Sequence, residues 1–262
     1  VLGSRGLGDV YKRQDVTVYK QNTVGIQAAL ADTSLPTLYW NNHDMARVAT
    51  RYGDPDYPQE SAKALATALY LQRGIPIIYY GEELGLTNIR YQNVDDFEDQ
   101  TVPTFVTSAK AAGKSMAEVM MMLNRTHKMA GRGPMQWDNT AYHGFSDHLP
   151  WKHGETDGMN AQAEIADPDS IYHYYQQLLR LKQRGLFTNG QFIMLGSTEQ
   201  LFTYLIDDGN ERAAVVCNLS AQTQTYPLPF VGGEVLLTQG RATCEQRLVT
   251  LPAWGSLVVK SA

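Results

Sequence analysis

The 262-residue sequence is short of cysteine, of net charge and of long apolar runs, and each shortage removes a class of function. Its two cysteines, Cys217 and Cys244, stand outside any CxxC or metal-ligand spacing, so a disulfide framework is not expected. A formal charge of −5, with no Lys/Arg-rich run, argues against a nucleic-acid or anionic-membrane partner. No apolar run approaches the roughly 20 residues of a membrane span, and residues 1–14 lack the apolar core of a secretory signal. Repeats and low-complexity tracts are missing as well. The remainder, 43% hydrophobic and 19% charged, is the composition of a globular protein with one large domain or two smaller ones, expected in the cytoplasm.

Residues 1–14 (VLGSRGLGDVYKRQ) have no initiating Met and no periodicity that would join them to a core. They are read as a non-native or disordered leader and set aside. Residues 21–32 suggest a modest helix, and Thr37–Trp40 a short strand. Pro58 then opens a helix with Ala62, Leu65, Ala66 and Leu69 at helical spacing, stopped by Gly74. The continuous apolar run Ile75–Tyr80 has the character of a strand buried on both faces. Strand, helix and strand in close succession form a βαβ unit, so the two strands should be parallel and end on one face.

About 80 residues without a strong strand follow Asn88, an insertion of the length that usually serves function. It holds a helical piece at Ser115–Arg125 and a Gly/Pro/aromatic-rich segment from Gly131 to Gly158. Its methionines read as core filler. Asp167-Pro168-Asp169-Ser170 opens a further helix, with Pro168 expected in its first turn and Gly185 as the stop. Beyond it the pattern alternates. Gln191–Leu195, Leu201–Ile206, Ala213–Cys217, Val235–Thr238, Arg247–Leu251 and Ser256–Val259 read as strands, with a hairpin turn at Asp207-Asp208-Gly209-Asn210.

One cluster concentrates the chemistry. The apolar Leu38-Tyr39-Trp40 stops abruptly at Asn41-Asn42-His43-Asp44. Polar residues at a strand end are where a (β/α) barrel places its reactive groups. The same residues would also suit an Asx-type turn, with His43 and Asp44 as ordinary caps. Taken alone, the cluster does not decide between these.

Three motifs in order bear on that choice. Asn42-His43-Asp44, with Arg47 and Arg51-Tyr52-Gly53-Asp54 downstream, resembles the strand-seven motif of the α-amylase superfamily of glycoside hydrolases. Gly74–Asn88 (GIPIIYYGEELGLTN) is similar to the strand-eight segment of its oligo-1,6-glucosidase branch. Arg132-Gly133-Pro134-Met135-Gln136-Trp137-Asp138, followed by Gly144-Phe145-Ser146 and Pro150-Trp151, resembles the signature of that branch, which includes dextran glucosidases and trehalose-6-phosphate hydrolases. The resemblance spans residues 15–262. It implies an α/β fold: the C-terminal part of a (β/α)8 TIM barrel (residues 15–186, with an insertion at about 88–167), then an all-β antiparallel sandwich domain (187–262).

The family hydrolyses glycosides with retention, using one carboxylate as nucleophile and one as acid/base. The resemblance makes Asp44 the third carboxylate, which stabilises the transition state, and makes His43 a donor to the sugar in subsite −1. Arg132 matches an arginine that reaches back to that subsite. Arg47 is expected to be structural, pairing with loop acids to hold the motif's geometry, and the adjacent Glu82 and Glu83 are not assigned as a catalytic pair. Trp40, Trp137 and Trp151 could stack on sugars or pack the loop. His127, His143, His148 and His153 lack metal-ligand spacing, and no cofactor is implied.

Met45-Ala46 replaces the family's usual Gln-Pro, and Gly133 its usual Thr; both are expected to alter loop stiffness. The nucleophile and general acid have no counterpart among these motifs. The resemblance therefore implies the C-terminal part of a monomeric exo-acting α-glucosidase on α-1,6-linked gluco-oligosaccharides, inactive and aggregation-prone alone. Trehalose-6-phosphate hydrolysis and a non-catalytic amylase-like role are the alternatives.

Overall fold

A computed structural model describes residues 16–31 and 33–262; the leader 1–14 lies outside the described residues. In chain order the elements are α1 (Val16–Leu30), β1 (Thr37–Leu38), α2 (Val48–Tyr52), α3 (Pro58–Tyr70), β2 (Ile75–Pro76), α4 (Val102–Ala111), α5 (Met116–Thr126), α6 (Ala161–Ala166), α7 (Ile171–Lys182) and α8 (Gly185–Asn189). Eight strands follow: β3 (Gln191–Met194), β4 (Leu201–Asp207), β5 (Arg212–Asn218), β6 (Gln224–Pro227), β7 (Gly232–Gln239), β8 (Thr243–Glu245), β9 (Leu248–Leu251) and β10 (Ser256–Ser261). They fall into two compact units, one of residues 16–40, Gly53–Ile78 and Pro168–Ala262, the other of Asn41–Tyr52 and Tyr79–Asp167.

In the first unit β1 and β2 pair in parallel, with Thr37 opposite Ile75 and Leu38 opposite Pro76. The Ile77 N–H extends the ladder to the Leu38 carbonyl at 2.8 Å. The connecting helix α3 begins with Pro58, whose fixed φ suits a first turn and whose missing N–H would have no partner there. The parallel expectation holds, but burial on both faces does not. Ile75 and Ile77 are half-exposed, because β1 is the one strand paired with β2 among the described residues.

The remaining strands form a five-stranded sheet of order β3-β4-β5-β10-β7 and a three-stranded sheet of order β6-β9-β8, each antiparallel throughout. Alternate residues of the large sheet (Leu201, Leu205, Ala214, Val216, Leu257, Val259) share a core with Tyr226, Val249 and Leu251 of the small one. The other face of the large sheet is covered too. The Tyr204 hydroxyl donates to the Thr67 carbonyl of α3, and Phe202 stacks on Tyr19 of α1 at 4.6 Å. Each such side chain, fully buried, contributes about 1.5–3 kcal/mol. Hence β4 and β5 carry continuous buried runs where alternation was expected. The short strands β6 and β8 lacked a legible apolar pattern, since β8 exposes Thr243 and Glu245 and β6 ends at Pro227.

Both expected ends of α7 shift: it stops at Lys182, and Gly185, expected as its stop, opens α8. The cap of α7 is Ser170, whose hydroxyl accepts the His173 N–H at 3.2 Å, while Asp167 instead terminates α6. Pro168 therefore lies in a turn before the helix. Asp54, from the strand-seven motif, accepts the indole N–H of the buried Trp254 at 2.9 Å.

The second unit has little regular structure. A core of Ile89, Tyr91, Phe97, Val102, Val119, Leu123 and Met129 gathers α4, α5 and the neighbouring loops. Ser115 caps α5 in a reciprocal box with Glu118. The methionines divide: Met122 and Met129 are buried, whereas Met116 and Met121 are exposed. Among the described residues no helix is long and apolar enough to cross a membrane.

Candidate functional site

The site is built from the polar residues that follow β1. Asn41 is buried, and its side-chain oxygen accepts the Val48 N–H at 3.1 Å, tying the loop to the start of α2. The Asn42 side chain accepts the Asp44 N–H at 2.8 Å, and the Asn42 carbonyl accepts the Met45 N–H at 3.1 Å. This is the Asx-type turn that the sequence allowed. Such a turn is compatible with the site reading, since it presents the His43 and Asp44 side chains. His43 and Asp44 leave it with side chains 72% and 62% exposed, their Nε2 and Oδ2 atoms 3.3 Å apart.

Arg132 meets them from the far end of the insertion. Its Nη2 lies 3.0 Å from Asp44 Oδ1, and its Nε donates to the His43 carbonyl at 2.6 Å. The guanidinium fork thus grips the carboxylate and the backbone of one loop together. Its own position comes from the 3-10 turn Lys128–Arg132, where the His127 ring accepts the Met129 N–H at 3.3 Å. The next residue back matters as much. A Cβ at position 131 would stand 2.7 Å from the Met45 carbonyl oxygen, so only glycine lets the two loops meet. At Gly133, where a stiffness effect was expected, a Cβ would stand 2.5 Å from Ile89 Cγ2; the constraint there is one of space.

Three residues hold this assembly: Asn88 and Tyr80, which sequence reasoning passed over, and Arg47, expected to pair with loop acids but set on a carbonyl and two tyrosine rings. Asn88 is buried; its side-chain oxygen accepts the Arg47 N–H at 2.8 Å, while its amide donates to the Asn124 carbonyl at 2.8 Å. Arg47 is buried, donates to the Tyr80 carbonyl at 2.7 Å, and lies 5.3 and 4.6 Å from the ring centres of Tyr79 and Tyr80. Burial pulls its pKa below the ordinary arginine value, while Tyr80, Tyr79 and Glu83 oppose that shift. Tyr80 completes the brace, its hydroxyl donating to the Gly133 carbonyl at 2.6 Å. Nothing in an isolated Asn or Tyr signals such a role, and the contact of Arg47 with two adjacent tyrosines exists only once the chain has folded.

The other candidates separate clearly. Glu82 is buried within a 3-10 turn, and burial pushes the Glu83 carboxyl above its usual range, so the two do not form an open pair of carboxylates. Trp40 is half-buried and donates to the Leu65 carbonyl at 2.8 Å. Trp137 and Trp151 are exposed rather than packed. Lys128 and Lys152 pair with Asp99 and Glu98 at 3.2 and 2.9 Å. Among the described residues no cluster of three or more His, Cys, Asp or Glu is arranged to hold a metal.

Comparison with known proteins accords with this geometry. The oligo-1,6-glucosidase of Bacillus cereus is 34% identical over 233 residues, which cover 87% of this chain and 42% of that protein. The glucan 1,6-alpha-glucosidase of Streptococcus pneumoniae is 33% identical over 86% of the chain and 43% of its own length. The trehalose-6-phosphate hydrolase of Bacillus subtilis is 32% identical over 85% and 42%. Among solved structures, a family GH13_31 enzyme superposes with a TM-score of 0.86 at 40% identity, covering 97% of this chain and 47% of that one. The chain thus spans less than half the length of the curated relatives it matches. A domain of unknown function (DUF3459) matches residues 200–258, the antiparallel sheets. The alpha-amylase catalytic domain matches residues 8–190, which include His43, Asp44 and Arg132, and the chain belongs to that family.

Proposed function

We propose that this chain forms the strand-seven and strand-eight walls of a retaining, exo-acting α-glucosidase that hydrolyses α-1,6 bonds of short gluco-oligosaccharides. The observation that carries this is the exposed Asp44 carboxylate held by Arg132 at 3.0 Å beside His43. A carboxylate fixed in this way, with one oxygen braced and its edge open, suits a sugar ring acquiring positive charge. His43 donates to a sugar hydroxyl, and Arg132 positions Asp44. The nucleophile and the general acid come from residues outside the motifs of this chain, which alone turns over no glucoside.

A neutral substrate is favoured over a phosphorylated one. Of the basic residues that could receive a phosphate, Lys128 and Lys152 are each paired with a carboxylate, and His127 lies 3.9 Å from Asp99. The relatives' names support the linkage, as two of the three described above are 1,6-glucosidases.

The test is a chimera in which this chain replaces the matching segment of the Bacillus cereus enzyme. It should hydrolyse isomaltose and panose and leave trehalose 6-phosphate untouched. Asp44→Asn should slow turnover by about 2–4 kcal/mol in activation free energy without unfolding the chimera. A folded chimera whose isomaltose hydrolysis is indifferent to Asp44→Asn would overturn the assignment, and preferential cleavage of trehalose 6-phosphate would replace the substrate.

A further inference from the structure

The insertion contains a second feature that the proposed hydrolytic role does not use. Residues 90–98 and 151–155 wall a cleft of about 390 Å³, and none of its lining residues is His43, Asp44 or Arg132. The two segments are joined by reciprocal backbone hydrogen bonds between Arg90 and Glu155, at 2.9 and 3.0 Å. Trp151 stands in this wall with 74% of its surface exposed.

An indole so exposed is ordinarily mobile, but this one is held. Its N–H donates to Glu98 Oε2 at 3.0 Å, and the ammonium of the buried Lys152 lies 4.8 Å from its ring centre. Lys152 also donates to the same Glu98 oxygen at 2.9 Å. Glu98 adopts a left-handed backbone conformation with φ of 47°, which a residue with a side chain tolerates only when its surroundings enforce it. The polar handle of the indole is thus consumed internally, and an apolar aromatic surface is left facing water.

We infer that this cleft binds carbohydrate, with a pyranose ring stacked on Trp151. A sugar presents an apolar C–H face for the indole and a rim of hydroxyls for the polar groups beside it. Gln92, which donates to Glu155 at 2.8 Å, and the carboxylate of Asp96 border the same cleft. A cationic ligand is disfavoured, since Glu98 is neutralised by Lys152 and Glu155 lies 3.7 Å from Arg90. An anion would meet the Asp96 carboxylate. A preordered platform of this kind lowers the ordering cost of binding. The α-gluco character of the ligand rests on the proposed hydrolytic function; the stacking site does not.

The experiment is calorimetric titration of the chain with isomaltotriose, alongside fluorine NMR of fluorotryptophan-labelled protein. Binding with a Kd of about 1 mM is expected, with movement of the Trp151 resonance, identified by its loss in Trp151→Leu. Trp151→Leu, which stays apolar but removes the aromatic face, should weaken binding about tenfold, and Trp151→Ala at least as much. Asp44→Asn should leave the Trp151 shift intact, so failure of the hydrolytic assignment and failure of this one are separable. A Trp151 resonance unmoved by isomaltotriose, or equal affinity in Trp151→Leu, would overturn the inference. A response to a lysine-rich peptide but not to the sugar would replace carbohydrate with a cationic partner.

Discussion

The two units of this chain solve the problem of order in opposite ways. The unit of α1, α3, α7 and the antiparallel sheets relies on apolar burial, since β4 is buried along nearly its whole length and β5 likewise beyond its first residue. The other unit has a smaller core, and its loops bearing His43, Asp44 and Arg132 rest on point contacts: a buried arginine on two tyrosines, an asparagine bridging loop and helix, and a glycine admitting a carbonyl. Burial is additive and tolerant, whereas point contacts fail singly. Substitutions in the first unit should therefore register as stability, and those in the second as geometry and rate.

The comparison is broken most forcefully at its apolar end. Phe202→Ala empties a fully buried position of β4 and should destabilise the protein by about 3–5 kcal/mol in urea titration. In an active chimera, Asp44→Asn should slow glucoside hydrolysis by about 2–4 kcal/mol in activation free energy, with an unchanged unfolding midpoint. Loss of both activity and stability at Asp44 would erase the distinction. Gly131→Ala tests the point contacts, because its Cβ meets a backbone oxygen that has little room to move. A cost of about 1–3 kcal/mol is expected by calorimetry, with a larger proportional loss of rate.

Lys182 sharpens the burial side through pH. Its ammonium is buried against the carbonyls of Gln72 and Phe187, and burial lowers its pKa from 10.5 to about 7. Between those values the unfolded chain holds a proton that the folded chain releases, so this group makes stability rise with pH from about 7 to about 10.5. The slope approaches about 1.4 kcal/mol per pH unit and should vanish in Lys182→Met, as read from urea titrations at several pH values. The smallest effect is at a cap. Ser115→Ala removes the acceptor for the Glu118 N–H and should cost about 1 kcal/mol.

Legibility follows the same division. The hairpin at Asp207–Asn210 could be read because turn chemistry is local, and the Asp207–Arg212 pairing closes it as expected. Helix α3 could be read because Pro58 and its apolar spacing are local as well. The double burial of β4 could not, since only the arrival of Tyr19 and Thr67 from distant segments removes the need for a polar face. At the site, His43, Asp44 and Arg132 were legible as motif positions. Their mutual contact was not, because 87 residues separate Asp44 from Arg132 and no local rule measures that approach.

The sequence alone named the candidates: a His-Asp pair after a strand, an arginine beside a Pro-Met-Gln-Trp block, and strands that form by local pattern. Tertiary structure decided what those residues do to one another. It set the guanidinium of Arg132 on Asp44, committed Lys128 and Lys152 to carboxylates, and left Trp151 bare over a cleft. The physical reason is range. Propensity, capping and turn geometry act over a few residues, while charge pairing and burial depend on distances that exist only after the chain has folded.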